Sequence, residues 1–427
     1  MEAAPANRPR KPRRRWRWHV PPALVHGGES LEGVQVLDEI PEPLGLLLWE
    51  TYRDVVLWSS VAPEERDGLF AAEAYEARLR ALAEAGADEP LDQALRAVAA
   101  ILKDPGGVPE ADVTAACRTA TDWAEGKALL SAAVTLATAA ALASPTNAAA
   151  AHRVGMIARA NGESARAETW FRRAVGLGRQ ANDWASYAEA FLGLGNLYKQ
   201  RGNYPAARRF HIRALRAARR HAMREIQGRA LHDLFCIAMQ TSPPADAEEL
   251  ARLAFRAYGS RHPRLPALAH DVAYFWMSQG RFAPALEVFR AVLPHIHDSR
   301  ERVLVAANAG RAAGGSGNRA GFDEAWQSVW AAEPEWERTP LAPQALLELA
   351  NGASSLRDWP RAERAAETAR DLAQRRGQGQ VIIESEAVLD AARRKRGVEP
   401  AVPAATEESA DPELVADLVR SLNVARR

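Results

Sequence analysis

The sequence predicts an all-α chain built as a helical-repeat solenoid, and three observations carry that prediction. Alanine is abundant and long β-branched runs are missing, which is helix composition. Apolar residues recur at helical spacing through most of the chain. Segments of about 20 residues also return in one frame at a spacing near 40 residues. A chain of 427 residues exceeds one small core, but a repeat array grows by stacking units. With 47% hydrophobic and 26% charged residues, most of it can bury an ordered interior.

The first expected element, residues 1–22, is a disordered basic arm. Prolines at 9, 12, 21 and 22 block regular structure and like charges repel. Residues 1–19 carry seven basic side chains against Glu2 alone, whereas the rest of the chain is acidic by five. No apolar stretch follows this charge, so it does not read as a secretory signal. Residues 23–107 read as a helical N-terminal segment, with helices near 42–60, 63–85 and 89–102. Pro63 and Pro90 fall close to helix starts, where a missing N–H costs little. Its most apolar stretch, Leu44 to Val61, contains Glu50, Arg53 and Asp54, a charge density that argues against a membrane span. The breaker DPGGVP (104–109) is the expected internal boundary.

Residues 108–395 carry the repeats. VGMIARANGESARAETWFRRA (154–174) aligns with LGNLYKQRGNYPAARRFHIRA (194–214) without a gap, pairing Gly155 with Gly195, Gly162 with Gly202 and Ala167 with Ala207. The frame returns at 272–292, through Ala273, Gly280, Phe282 and Phe289, and at 349–369, through Ala350, Trp359 and Ala369. Degenerate copies lie around 235–254 and 310–329, and a poorly marked one near 116–143. A small residue in each first helix permits close approach of its partner. A turn glycine (Gly162, Gly202, Gly280, Gly317) suits a left-handed backbone. A large side chain after the turn (Tyr204, Phe282, Trp359) packs on the neighbour. This pattern resembles the tetratricopeptide repeat family in its longer, 40-residue form. The resemblance implies a right-handed α-α superhelical solenoid. Residues 396–411 then read as a linker. Residues 412–427 form a short amphipathic helix, capped by Asp411, with Leu414, Val415, Leu418, Val419 and Leu422 on one face. It is expected either to dock, in cis or in trans, or to cap the solenoid.

In that family the first helices of successive units line a concave groove, and the resemblance implies a contact register here. His152, His232 and His270 share one position, with Leu192 standing in the same place. Met156, Asn196, Cys236, Tyr274, Arg311 and Asn351 share a second, and Asp233, Asp271 and Asn308 a third. The expected groove residues are therefore His152, Met156, Asn196, His232, Asp233, His270, Asp271, Tyr274, Asn308 and Arg311. The pairs His232-Asp233 and His270-Asp271 also look like the dyads of helical metal-dependent phosphohydrolases. Repetition alone explains them, however, and no further ligand set stands out, so no catalytic, cofactor or metal residue is assigned. GRAAGGSGNRAG (310–321) lacks the Gly-Lys-Ser/Thr of a phosphate loop and reads as a loose turn between helices.

Two basic features stand apart. Arg209, Arg213, Arg216, Arg220 and Arg224 recur at helical spacing and are expected to share one helix face. In the arm, Arg13, Arg14, Arg15 and Arg17 interleave with Trp16 and Trp18, a pattern that can meet phosphates or stack on bases. Residues 321–367 hold nine acids against four arginines, which raises self-association with the basic early array. Two cysteines give no disulfide framework, and the expected location is cytoplasmic. Arginine outnumbers lysine fifty to five, a bias expected of a GC-rich bacterial genome. The resulting expectation is a non-enzymatic scaffold or adaptor holding a protein or peptide partner. The rival is nucleic-acid or anionic-surface binding through the arm and arginine stripe.

Overall fold

A computed structural model describes residues 33–395 and 411–425 of the chain; the arm residues Arg13, Arg14, Arg15, Trp16, Arg17 and Trp18, and nearly all of the expected linker, lie outside them. Among the described residues there are twenty α-helices and no strand. The chain is an all-α helical-repeat solenoid, and it divides into two compact units between His221 and Ala222.

The first unit opens with α1 (Gln35–Glu39), α2 (Leu44–Ser60), α3 (Ala74–Ala85) and α4 (Glu89–Lys103), then continues through three helix pairs. These pairs are α5 (Glu110–Gly126) with α6 (Leu130–Ala143), α7 (Ala148–Ala160) with α8 (Ser164–Ala181), and α9 (Trp184–Gln200) with α10 (Tyr204–Arg220). Helix α6 is buried nearly all round, as its unbroken apolar sequence requires. The carboxylate of Glu39 accepts from the backbone N–H groups of Ser131 and Ala132 and so satisfies its first turn. The helices do break at 104–109, but the core does not. Tyr52, Val55 and Trp58 of α2 pack with Val98 and Ile101 of α4 and with Val113 and Cys117 of α5. The Trp58 indole also donates to the Pro105 carbonyl at 2.7 Å. The breaker segment is thus a loop inside one packed body, held by a buried tryptophan that no local pattern announces.

The second unit contains α11 (Arg224–Thr241), α12 (Pro244–Tyr258), α13 (Leu265–Ser278), α14 (Phe282–Val292), α15 (Ser299–Gly315) and α16 (Arg319–Ala331). It continues with α17 (Ala342–Ser355), α18 (Trp359–Arg375) and α19 (Gly379–Arg393), and ends in α20 (Pro412–Ala425). The degenerate copies are helix pairs like the rest: α11 with α12, and α15 with α16.

The turns show why the repeat keeps its frame. Gly162, Gly202, Gly280 and Gly317 all adopt a left-handed φ between 70° and 78°. In each turn the following N–H reaches back to the first helix, as Asn203 N does to the Tyr198 carbonyl at 2.9 Å. After Gly202 and Gly317 the next helix is also capped by a side chain, Asn203 accepting from Ala206 N and Asn318 from Gly321 N. In the 349–369 copy the left-handed place falls to Arg357, at φ 58°.

One expectation is corrected here. The glycines of 310–321 do not form a loose turn. Gly310, Gly314 and Gly315 lie within α15, and only Gly317 sits at the turn. A Cβ added to Gly314 would stand 2.2 Å from the Gly352 carbonyl oxygen, and one on Gly315 would meet the Phe282 ring. Gly310 and Gly314 are contact points of a close helix crossing between α15 and α17, and Gly315 lets α14 approach, so none of them is flexible chain.

The C-terminal helix docks in cis within the second unit. Leu414, Val415, Leu418 and Leu422 are buried, and α20 lies on α14 and α13. Asp411 caps its own helix by accepting from Glu413 N, pairs with Arg252, and donates its backbone N–H to Glu248. His295 meets the Leu422 carbonyl through Nε2 at 2.9 Å. The helix therefore leans on the middle of the unit and does not cap its end.

Candidate functional site

In each unit the first helices of successive pairs carry the register positions, and burial sorts them. His152, Met156, Asn196, His232, Asp233, His270, Asp271, Tyr274 and Arg311 are all half-buried, while Asn308 is buried. A half-buried polar residue at a recurring position borders a face that contacts solvent or a ligand. Leu192, at the histidine position of α9, is buried instead.

In the first unit, His152 packs its ring 5.7 Å from Phe171 of the partner helix. The same phenyl ring fills the space beside Gly155, where a Cβ would meet it at 2.6 Å. The histidine is thus partly a packing residue, standing over the close approach that the small residue allows.

In the second unit the register residues come together. His232 Nε2 lies 2.9 Å from Asp271 Oδ2, and His270 Nδ1 lies 3.2 Å from Asp271 Oδ1. Asn308 Nδ2 meets His270 Nε2 at 3.2 Å, and the Cys236 thiol donates to Asp271 Oδ2 at 3.6 Å. One polar chain therefore runs across α11, α13 and α15. If the Asn308 amide donates to His270 Nε2, the His270 proton sits on Nδ1 and points at Asp271. Burial by itself raises the Asp271 carboxyl, but the two imidazoles outweigh it and hold it well below the usual carboxylate range. The sequence-adjacent dyads are thus rearranged. Asp271 serves the histidine of the preceding pair as well as its own neighbour. Asp233 lies near Tyr258, whose phenol burial pushes up.

A second polar group follows along the same face. Arg311 pairs with Glu348 of α17, which also accepts from Gln344 at 3.0 Å. Tyr274 stands near both, and burial raises its phenol. Glu348 was missed by sequence reasoning, although it lies only three residues before Asn351, a register position. Cys236 was placed in the register but not among the site residues. The signal was present, since it follows His232 by four residues and so shares its helix edge.

The arginine stripe is shorter than expected. Arg209, Arg213, Arg216 and Arg220 are exposed on α10, but the helix stops at Arg220 and Arg224 begins α11. Ala222 takes a left-handed φ of 53° between them, so the even spacing was a coincidence of two helices. No acid pairs with the four arginines of α10 among the described residues. Arg213 lies over the Phe191 and Phe210 rings at 5.6 and 5.8 Å. No described helix is long and apolar enough to cross a membrane.

Residues 146–220, which span α7 to α10, match the tetratricopeptide repeat family. No curated protein matches the chain in sequence. Among solved structures, it is similar to the Signal Transduction ATPase with Numerous Domains (STAND) protein with a tetratricopeptide repeat sensor from Pyrococcus horikoshii, at 14% identity and a TM-score of 0.39. That match covers 76% of this chain and 44% of the other, so the chain spans less than half of that protein. The family match falls on the two copies whose frame is best kept, and residues 146–220 of the chain carry tetratricopeptide repeats.

Proposed function

We propose that this chain is a non-catalytic scaffold or adaptor that holds a protein or peptide segment against the first-helix face of its repeats. The observation that carries this reading is the half-buried polar face of the second unit, from His232 through Asp271 and Tyr274 to Arg311. Such a face offers donors and acceptors on rigid helices, which suits recognition of an extended chain. The match to a family whose repeats mediate protein contacts supports it.

The test is crosslinking and affinity purification of the intact chain beside two variants. Tyr274→Ala with Arg311→Ala alters the face, and Arg256→Ala alters α12 away from it. Partners lost with the first variant and kept with the second support the reading. An identical partner set for both refutes it.

A second reading rests on a separate observation, the exposed arginines of α10, which no acid pairs among the described residues. It assigns this surface, together with the basic arm, to a nucleic acid or another anionic surface. Binding to single-stranded nucleic acid that falls steeply with added salt, and falls again in Arg213→Glu with Arg216→Glu, supports it. Salt-insensitive binding excludes it.

A further inference from the structure

The polar chain of the second unit has a composition that peptide binding does not require. His232 and Cys236 stand one turn apart on the same edge of α11, and Asp271 reaches the same point from α13. One ligand atom from each, imidazole nitrogen, thiol sulfur and carboxylate oxygen, lies within 4.8 Å of the other two. The Asp271 oxygen is 2.9 Å from the nitrogen and 3.6 Å from the sulfur. In a tetrahedral zinc site, bonds of about 2.0 to 2.3 Å set neighbouring ligand atoms roughly 3.3 to 3.8 Å apart. Shifts of a few tenths of an ångström in side chains would bring this pair of edges into that range.

The surroundings fit the same purpose. His270 holds the other oxygen of Asp271, and Asn308 holds His270, so the carboxylate is oriented by a second layer of contacts. Beside the cluster, the Tyr258 ring sits edge-on to His232 at 6.2 Å. Its hydroxyl is buried with no hydrogen-bond partner among the described residues.

We propose that His232 Nε2, Cys236 Sγ and Asp271 Oδ2 bind one thiophilic divalent cation of the zinc class, leaving a fourth position open. Nitrogen, sulfur and carboxylate oxygen together select a borderline-soft transition ion over magnesium or calcium. Binding releases the thiol proton to the buffer, while the proton that His232 Nε2 now donates to Asp271 leaves that nitrogen, the neutral imidazole holding its proton on Nδ1 and giving the Nε2 lone pair to the metal. The three ligands are half-buried. The site does not depend on the peptide-binding reading, and either can fail without the other.

The test uses the untagged full-length chain, stripped with chelator and titrated with Co2+ and then Zn2+. One Co2+ per chain is expected, with a thiolate-to-cobalt charge-transfer band that equimolar Zn2+ abolishes. Cys236→Ser, which differs by one atom and is checked for helix content by circular dichroism, should lose the band and bind Zn2+ at least ~10-fold more weakly. His232→Gln and Asp271→Asn should weaken binding similarly, whereas Cys117→Ala, at a thiol buried in α5, should change nothing. Absence of stoichiometric binding overturns the proposal. So does a band that survives in Cys236→Ser or disappears in Cys117→Ala.

Discussion

Replacing Gly314 by alanine should destabilise the second unit, even though the substitution favours a helix. Alanine gains about 1 kcal/mol over glycine in a helix interior from propensity alone. Against that, the new methyl would sit 2.2 Å from the Gly352 carbonyl oxygen, and the Gly352 carbonyl carbon and Cα would both lie at 2.7 Å. Ordinary carbon–oxygen approach stops near ~3.3 Å, so α15 and α17 must part by about 1 Å. The obstacle is backbone, which no rotamer change can relieve. Overpacking of this kind costs about 1–3 kcal/mol, and a rigid obstacle places it at the upper end. The net expectation is a loss of roughly 1–2 kcal/mol. Gly176→Ala in α8 is the matched control, because nothing lies within 4 Å of its added Cβ. It should gain about 0.5–1 kcal/mol. Urea unfolding followed by circular dichroism reads the net change, and hydrogen exchange in α15 and α17 locates it. If Gly314→Ala matches or exceeds the parent in stability, with exchange in both helices unchanged, the close-crossing argument is wrong.

Arg357→Gly should stabilise the 349–369 repeat by about 1 kcal/mol, because glycine relieves a left-handed backbone at an exposed position. A thermal melt that does not rise would show that the arginine contributes compensating contacts. Leu418→Ala, at a fully buried position of α20, should cost about 2–4 kcal/mol of docking energy and expose 412–425 to proteolysis at unchanged helix content elsewhere. Unaltered cleavage rates would count against the docked position. For Asp54, burial pushes the carboxyl up to about 6 despite the neighbouring Arg78. Its folded value thus exceeds its unfolded one, so its stabilising contribution is complete below about pH 4 and fades as pH rises through about 6. The Asp54→Asn variant should lack that decline. Parallel urea midpoints for parent and variant between pH 4 and 7 would refute the assignment.

Much of the fold was legible because the repeat frame is written in small residues and turn glycines, which have few alternatives. Gly162, Gly202, Gly280 and Gly317 announced their left-handed turns, and the apolar face of α20 was readable residue by residue. What escaped were contacts whose partners lie far away in sequence. Nothing local shows that Trp58 would reach Pro105, or that Gly314 lies against Gly352 of α17 instead of bending the chain. The site was half legible for the same reason. Register listed His232, His270, Asp271 and Asn308, which meet one another in the structure, but adjacency suggested His232-Asp233, whereas the pairing joins His232 to Asp271 across helices. The arginine series misled in the opposite direction, since its spacing continued across a helix end that Ala222 alone marks weakly.

The docking of α20 changes what kind of object the second unit is. An array whose units touch only their neighbours melts from its ends inward, like a zipper. Here Arg252 and Asp411 meet across 159 positions of chain, and Glu248 and Asp411 across 163. The last helix is thereby stitched to the middle of the row, and the open zipper becomes a loop with a clasp. Closing so large a loop adds little entropy cost over closing a short one, about 0.6 kcal/mol for each doubling of length. The helices from α12 to α19 should consequently lose protection together rather than one pair at a time. Releasing the clasp would restore fraying to the array's end, and so grade its stiffness without altering a single repeat.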